Sequence, residues 1–168
     1  AEVFNVAVPF IDRHLEEGRK DKIIIHTTGG EKVTYEQLAE RVNQSGNVLK
    51  NMGMSSGDRI LMIIKDAPEF FYLFWGAIKA GIVPIPLNTL LRSKDYAFMI
   101  EDSESVGVVY SPEFMEELEP ALGQMSKKPV YTLLTESKSG CFLDMMHSAS
   151  SSLEAAPAKA TDDCFWLY

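Results

Sequence analysis

The sequence predicts an α/β fold, a doubly wound and largely parallel sheet with helices on both faces. Three observations point there. Apolar runs of strand length alternate with segments of helical periodicity from residue 23 to residue 134. The run Ile60–Ile64 is apolar at every position, as in parallel strands covered on both faces. Repeated β-α-β units of this length require right-handed crossovers, which lay helices on both sides of an open sheet.

The elements follow in order. A helical stretch is expected from about Asn5 to Glu17. Ile23–Ile25 and Val33–Thr34 flank the turn formers Thr28-Gly29-Gly30-Glu31, which predicts a β-hairpin. Thr34 with Gln37 three residues on is a capping-box signature. Leu38, Val42, Gly46 and Leu49 then recur at helical spacing until Gly53 stops the run. After the strand Ile60–Ile64, Asp66-Ala67-Pro68-Glu69 starts another helix. Asp66 is expected to cap free amides, Pro68 suits a first turn, Glu69 favours the positive end of the dipole, and Gly81 supplies the stop.

A strand Ile82–Pro86 comes next, then a helix from Ser93 to about Asp102, a strand Val106–Tyr110, a helix Glu113–Leu122 and a strand Val130–Leu134. Residues 1–147 are thus expected to form one α/β unit. From Ser148 to Thr161 the residues are small, polar and without period, which is linker chemistry. Residues 162–168 end in the apolar run Cys164-Phe165-Trp166-Leu167-Tyr168, expected as a strand at which the fold is interrupted.

Of the 168 residues 46% are hydrophobic and 24% charged, globular rather than disordered proportions. The 16 basic and 24 acidic residues give a formal charge of −8, spread along the chain. Nucleic-acid binding is not expected, because phosphate neutralisation needs clustered Lys and Arg. Phe70–Leu91 is rich in apolar residues, but Lys79, Gly81, Pro84 and Pro86 interrupt it, so a buried helix followed by a buried strand is expected and not a membrane span. Cys141 and Cys164 are too far apart for a Cys-x-x-Cys pair and no signal segment opens the sequence, so a reducing, cytoplasmic setting is expected.

Searches for a self-contained active site fail. The sequence has no His-Glu-x-x-His, Gly-x-Ser-x-Gly, P-loop lysine or Gly-x-Gly-x-x-Gly motif. His14, His26 and His147 lie on separate elements, which gives no support for a metal site. The cluster Phe70-Phe71-Tyr72-Phe74-Trp75 reads as core packing.

Three segments carry a resemblance. Val33-Thr34-Tyr35-Glu36-Gln37-Leu38 resembles the first signature of the acyl-adenylate-forming superfamily, and Trp75-Gly76-Ala77-Ile78-Lys79-Ala80-Gly81-Ile82-Val83-Pro84-Ile85-Pro86 resembles the second. Asp162-Asp163-Cys164-Phe165-Trp166-Leu167-Tyr168 resembles the strand that in this superfamily runs into a Ser- and Gly-rich loop around the ATP phosphates. All three occur in the family's order. Phe4-Asn5, the run Pro86–Leu91, Asp95–Asp102 and the Phe-Trp-Leu-Tyr ending are most similar to benzoate–CoA ligases.

The resemblance implies the N-terminal part of an AMP-forming acid–CoA ligase. A carboxylate attacks the α-phosphate of ATP to give acyl-AMP and pyrophosphate, with Mg²⁺ offsetting phosphate charge, and the thiol of coenzyme A then displaces AMP. The phosphate loop, acyl pocket and catalytic lysine lie downstream in the family, so this segment would be inert alone, with the remainder of its own chain as partner and a small aromatic carboxylate as substrate. Arg92 and Lys94 follow the strand ending at Pro86, at the edge where open α/β sheets place ligands, and the resemblance implies a contact with a coenzyme A phosphate there. The family's basic residue often lies two positions earlier, where this chain has Leu90, and two solvated charges at a helix start are the alternative. Other adenylating enzymes, such as a fatty-acid ligase, a luciferase-like enzyme or a peptide-synthetase module, share these signatures. A free-standing α/β binding module of flavodoxin-like shape is the reading from another class.

Overall fold

The computed structural model describes residues 3–168. A hairpin of β1 (Ile23–His26) and β2 (Lys32–Thr34) precedes a four-stranded sheet, all parallel, of β3 (Arg59–Ile63), β4 (Val83–Pro86), β5 (Gly107–Tyr110) and β6 (Tyr131–Leu134). Its strand order is β4-β3-β5-β6. The helices are α1 (Arg13–Glu16), α2 (Tyr35–Met52), α3 (Pro68–Lys79), α4 (Ser93–Asp102), α5 (Met115–Gln124) and α6 (Phe142–Ser148).

Alternate residues of the central strands divide the core in two. Ile60, Met62 and Val109 pack with α2, α3 and α6 through Leu49, Leu73 and Phe142. Leu61, Ile63, Val108 and Tyr110 pack with α4 and α5 through Tyr96, Ile100 and Leu118. Burial on both faces explains the unbroken apolar run in β3, and the doubly wound expectation holds.

The Thr34 capping box forms: Gln37 N–H donates to Thr34 Oγ1 at 3.2 Å, and Thr34 N–H donates to Gln37 Oε1 at 3.0 Å. Gly53 closes α2 at φ 105°. The helical stretch expected at Asn5–Glu17 forms over residues 8–16, wound as a π-helix at Val8–Asp12 before it continues as α1. Asp66 caps nothing; Ala67 is the N-cap residue of α3 and no side chain bonds its amides. Pro68, lacking an N–H, removes one of the donors that a cap would serve. A further difference is α6, where Phe142 and Met146, four residues apart, are both buried.

β4 is an edge strand with an unusual edge. Val83 and Leu87 donate to the carbonyls of Asp58 and Met62 beside β3, so by alternation Pro84 and Pro86 face outward and offer carbonyls without N–H groups. The only backbone bond from Cys164–Tyr168 to β4 is Trp166 N–H to Pro84 O at 3.2 Å. The strand expected over 162–168 is therefore extended chain without a ladder, because the edge beside it supplies acceptors only.

Residues 148–161 have linker composition but a defined path. The segment lies along α2, reaches the end of α3, and its Lys159 bridges Val3. Asn5, buried, donates from Nδ2 to the carbonyls of Ile78, Lys79 and Ala156 at 3.1–3.2 Å, tying the last turn of α3 to this segment.

Candidate functional site

The carboxyl ends of the parallel strands carry the loops that position the charged side chains. In the loop after β4, Asn88 Oδ1 accepts from Leu90 N–H at 2.9 Å, and the buried Tyr96 donates its O–H to Asn88 O at 2.9 Å. These two bonds turn the chain outward, leaving Leu90 85% exposed. Burial pushes the Tyr96 phenol above its ordinary pKa.

Arg92 is the N-cap residue of α4, and Asp95 accepts its backbone N–H at 3.1 Å. Its guanidinium donates to Glu117 Oε1 on α5 at 2.9 Å, while Glu117 Oε2 accepts from both Ser93 N and Ser93 Oγ at 2.8 Å. Hydrogen bonds from Arg92 and then Ser93 hold the Glu117 carboxyl below the usual carboxylate range. Lys94 is exposed and makes no ion pair within 4.0 Å among the described residues. The two residues singled out from sequence thus share a helix start but differ in state: one is neutralised by a carboxylate, the other is free.

A second polar group sits after β3, β5 and β6, at the point where the chain's winding reverses. Lys65 Nζ lies 2.8 Å from Glu113 Oε1 and 2.6 Å from Glu136 Oε1, and Lys65 N–H donates to Ser111 Oγ at 3.0 Å. Those carboxylates raise the Lys65 pKa, and Lys65 lowers that of Glu113. Glu69 is buried on α3 nearby, with its pKa raised by burial. Nothing in the sequence pattern joined these residues, because they come from three separate loops and a helix.

At the opposite end of the sheet a cleft of about 520 Å³ opens between the starts of β3 and β4 and residues 157–166, lined by Phe4, Arg59, Ile82, Asp163 and Trp166 among others. Arg59 stacks over the Trp166 ring at 5.0 Å, and Trp166 Nε1 donates to Asp163 Oδ2 at 3.2 Å. Tyr168 O–H donates to Asp102 Oδ2 at 2.6 Å; burial and that carboxylate push its pKa up to about 12. His14 stacks on Tyr35 and His147 Nδ1 meets Leu143 O, so the histidines stay apart. Among the described residues no group of three His, Cys, Asp or Glu could hold a metal ion. No helix there is long and apolar enough to cross a membrane.

The profile of a family described as AMP-binding enzyme matches residues 11–168. The chain belongs to that family. Among AMP-binding enzymes it is 36% identical to the benzoate–CoA ligase of Thauera aromatica over 99% of this chain and 32% of that protein. It is 39% identical to the 4-hydroxybenzoate–CoA/benzoate–CoA ligase of Rhodopseudomonas palustris over 73% of this chain and 22% of that protein. The crystal structure of a benzoate CoA ligase from Burkholderia xenovorans superposes with a TM-score of 0.85 at 30% identity, covering 98% of this chain and 32% of that one. The matched part of the chain therefore spans between about a fifth and a third of the length of these relatives.

For a coenzyme A phosphate, Lys94 offers a free cation, whereas Arg92 fits only by exchanging Glu117 for the phosphate.

Proposed function

We propose that this chain is the N-terminal part of an AMP-forming acid–CoA ligase acting on benzoate or a similarly compact aromatic acid, with ATP, Mg²⁺ and coenzyme A. The observation that carries the reading is the match to benzoate–CoA ligase across 99% of the chain. The protein works in the cytoplasm. Within it, residues 1–147 form the α/β scaffold, 148–161 connect, and 162–168 lead into the loop that holds the ATP phosphates. The phosphate loop and catalytic lysine belong to the remainder of the chain, against which this scaffold packs. A pure 1–168 fragment then exchanges no labelled pyrophosphate into ATP when given a carboxylate.

An apolar pocket shaped for a ring separates acids by buried area. At about 25 cal/mol per Å², a ring burying on the order of 100 Å² more than a methyl gains about 2.5 kcal/mol, nearly a hundredfold in specificity. The test is kcat/KM of the full-length protein for benzoate, cyclohexanecarboxylate, acetate and palmitate, with benzoate expected to lead. If acetate or palmitate leads, the choice of acid is wrong; if no acid yields AMP and a thioester, the ligase reading falls.

Arg92 and Lys94 form the basic rim for a coenzyme A phosphate in this proposal. Arg92→Ala should slow the thioester step by about 1–3 kcal/mol, the scale of a charge-assisted hydrogen bond, and leave adenylation unchanged. Equal losses in both half-reactions, or in neither, remove Arg92 from the site.

A further inference from the structure

Asn43, Gln44 and Asn47 project from one side of α2, since residues four apart lie one above the other on a helix. Their amides donate to four consecutive carbonyls of the 148–161 segment. Gln44 Nε2 reaches Ala149 O at 3.3 Å, Asn47 Nδ2 reaches Ser150 O at 2.8 Å and Ser152 O at 2.9 Å, and Asn43 Nδ2 reaches Ser151 O at 2.9 Å. Leu153 then lies over Gly46, where a Cβ would collide with its Cδ2 and approach Gly76 O to 2.8 Å. Further along, Ala156 N–H donates to Lys79 O at 2.8 Å, its carbonyl takes Asn5 Nδ2 at 3.1 Å, and Phe4 N–H donates to Ala158 O at 2.6 Å.

A loop without periodicity could leave these carbonyls to water at little cost, because exposed polar groups are satisfied there. Bonding them to side chains of a long helix instead sets the register. A slip by one residue would pull Leu153 out of the Gly46 notch and part each amide from its carbonyl.

We propose that this amide clasp is a positioning device: by fixing residues 149–153 on α2, ahead of the contacts of Ala156 and Ala158 with the end of α3 and with Phe4 and Asn5, it sets where residues 162–168 leave the scaffold, and so where the ATP-binding loop after them is held. Asn47, with two of the four bonds, is its principal positioning residue. This inference rests on the ligase reading for its ATP consequence; the clasp itself does not.

The experiment uses the full-length protein with Asn47→Asp, which keeps the shape but removes both N–H donors, and Asn47→Gln, which keeps the donors. Hydrogen exchange should quicken in peptides covering 149–168, where the Ala156 and Trp166 amides report, and not in α2 or β3. The KM for ATP should rise about fivefold, the scale of a lost hydrogen bond, with kcat changed by less than about twofold. Asn47→Gln should restore both. Unchanged exchange, or equal quickening in α2, would overturn the clasp. Local quickening with an unchanged KM for ATP would overturn the positioning role. A wild-type protein that adenylates no acid would defeat the ligase reading and the ATP consequence with it, while the exchange comparison still decides the clasp.

Discussion

The contact between α2 and α3 and the loop between β4 and α4 stand at opposite extremes of construction. In the first, glycines let two helices meet: a Cβ on Gly76 would lie 2.7 Å from Ser45 Cβ and 2.8 Å from both Gly46 N and Val42 O. Beside it Lys79, 4% exposed, is paired with Asp12 at 2.8 Å. In the second, Leu90 and Lys94 face water and Arg92 meets Glu117 at the surface. One region is determined by packing and tolerates little; the other is shaped by a few hydrogen bonds and leaves Lys94 without an ion pair among the described residues. Tight packing and solvent-facing charge thus fall in different parts of the scaffold.

Substitutions ranked by their effect on unfolding free energy sharpen this contrast. Asp12→Ala should cost about 3 kcal/mol in chemical denaturation, because it strands the buried Lys79 ammonium. Gly76→Ala should cost about 2 kcal/mol, since the added methyl meets backbone that cannot yield without parting the helices. Thr34→Ala removes the α2 cap and should lower stability by about 1 kcal/mol.

Glu69→Gln runs the other way. Burial raises the Glu69 pKa, so the folded state takes up its proton at a higher pH than the unfolded chain does. Ionisation of Glu69 therefore costs stability above the carboxylate range, and the cost vanishes as pH falls through it. The Gln variant should be more stable at neutral pH by under about 1 kcal/mol, the gain shrinking toward acid pH in melts across that range. Arg92→Ala should change stability by under about 0.5 kcal/mol, as exposed ion pairs do. A loss above 2 kcal/mol there would erase the distinction between the two regions.

Much of the scaffold could be read from the sequence, where the determining contacts are local. The Thr34–Gln37 box, the stops at Gly53 and Gly81, and the β3 run each depend on neighbours within a few residues or on burial of a whole strand. What escaped depends on distant partners. Residues 148–161 read as a linker because their small polar composition says nothing of the amides on α2, more than 100 residues earlier. Arg92 and Lys94 could be placed after a strand, but the pairing of Arg92 with Glu117, 25 residues on, could not. The α6 helix is under two turns long, too short for a period to emerge.

The acceptor-only edge of β4 also bears on how copies of this chain avoid one another. Strands zip together by exchanging N–H and C=O groups in alternation, so two β4 edges brought side by side would set carbonyl against carbonyl. Crowded nascent chains, with their apolar sheets newly formed, therefore lack at this margin the template from which amyloid-like growth starts. Only a segment carrying its own donors can lie against it, as Trp166 does.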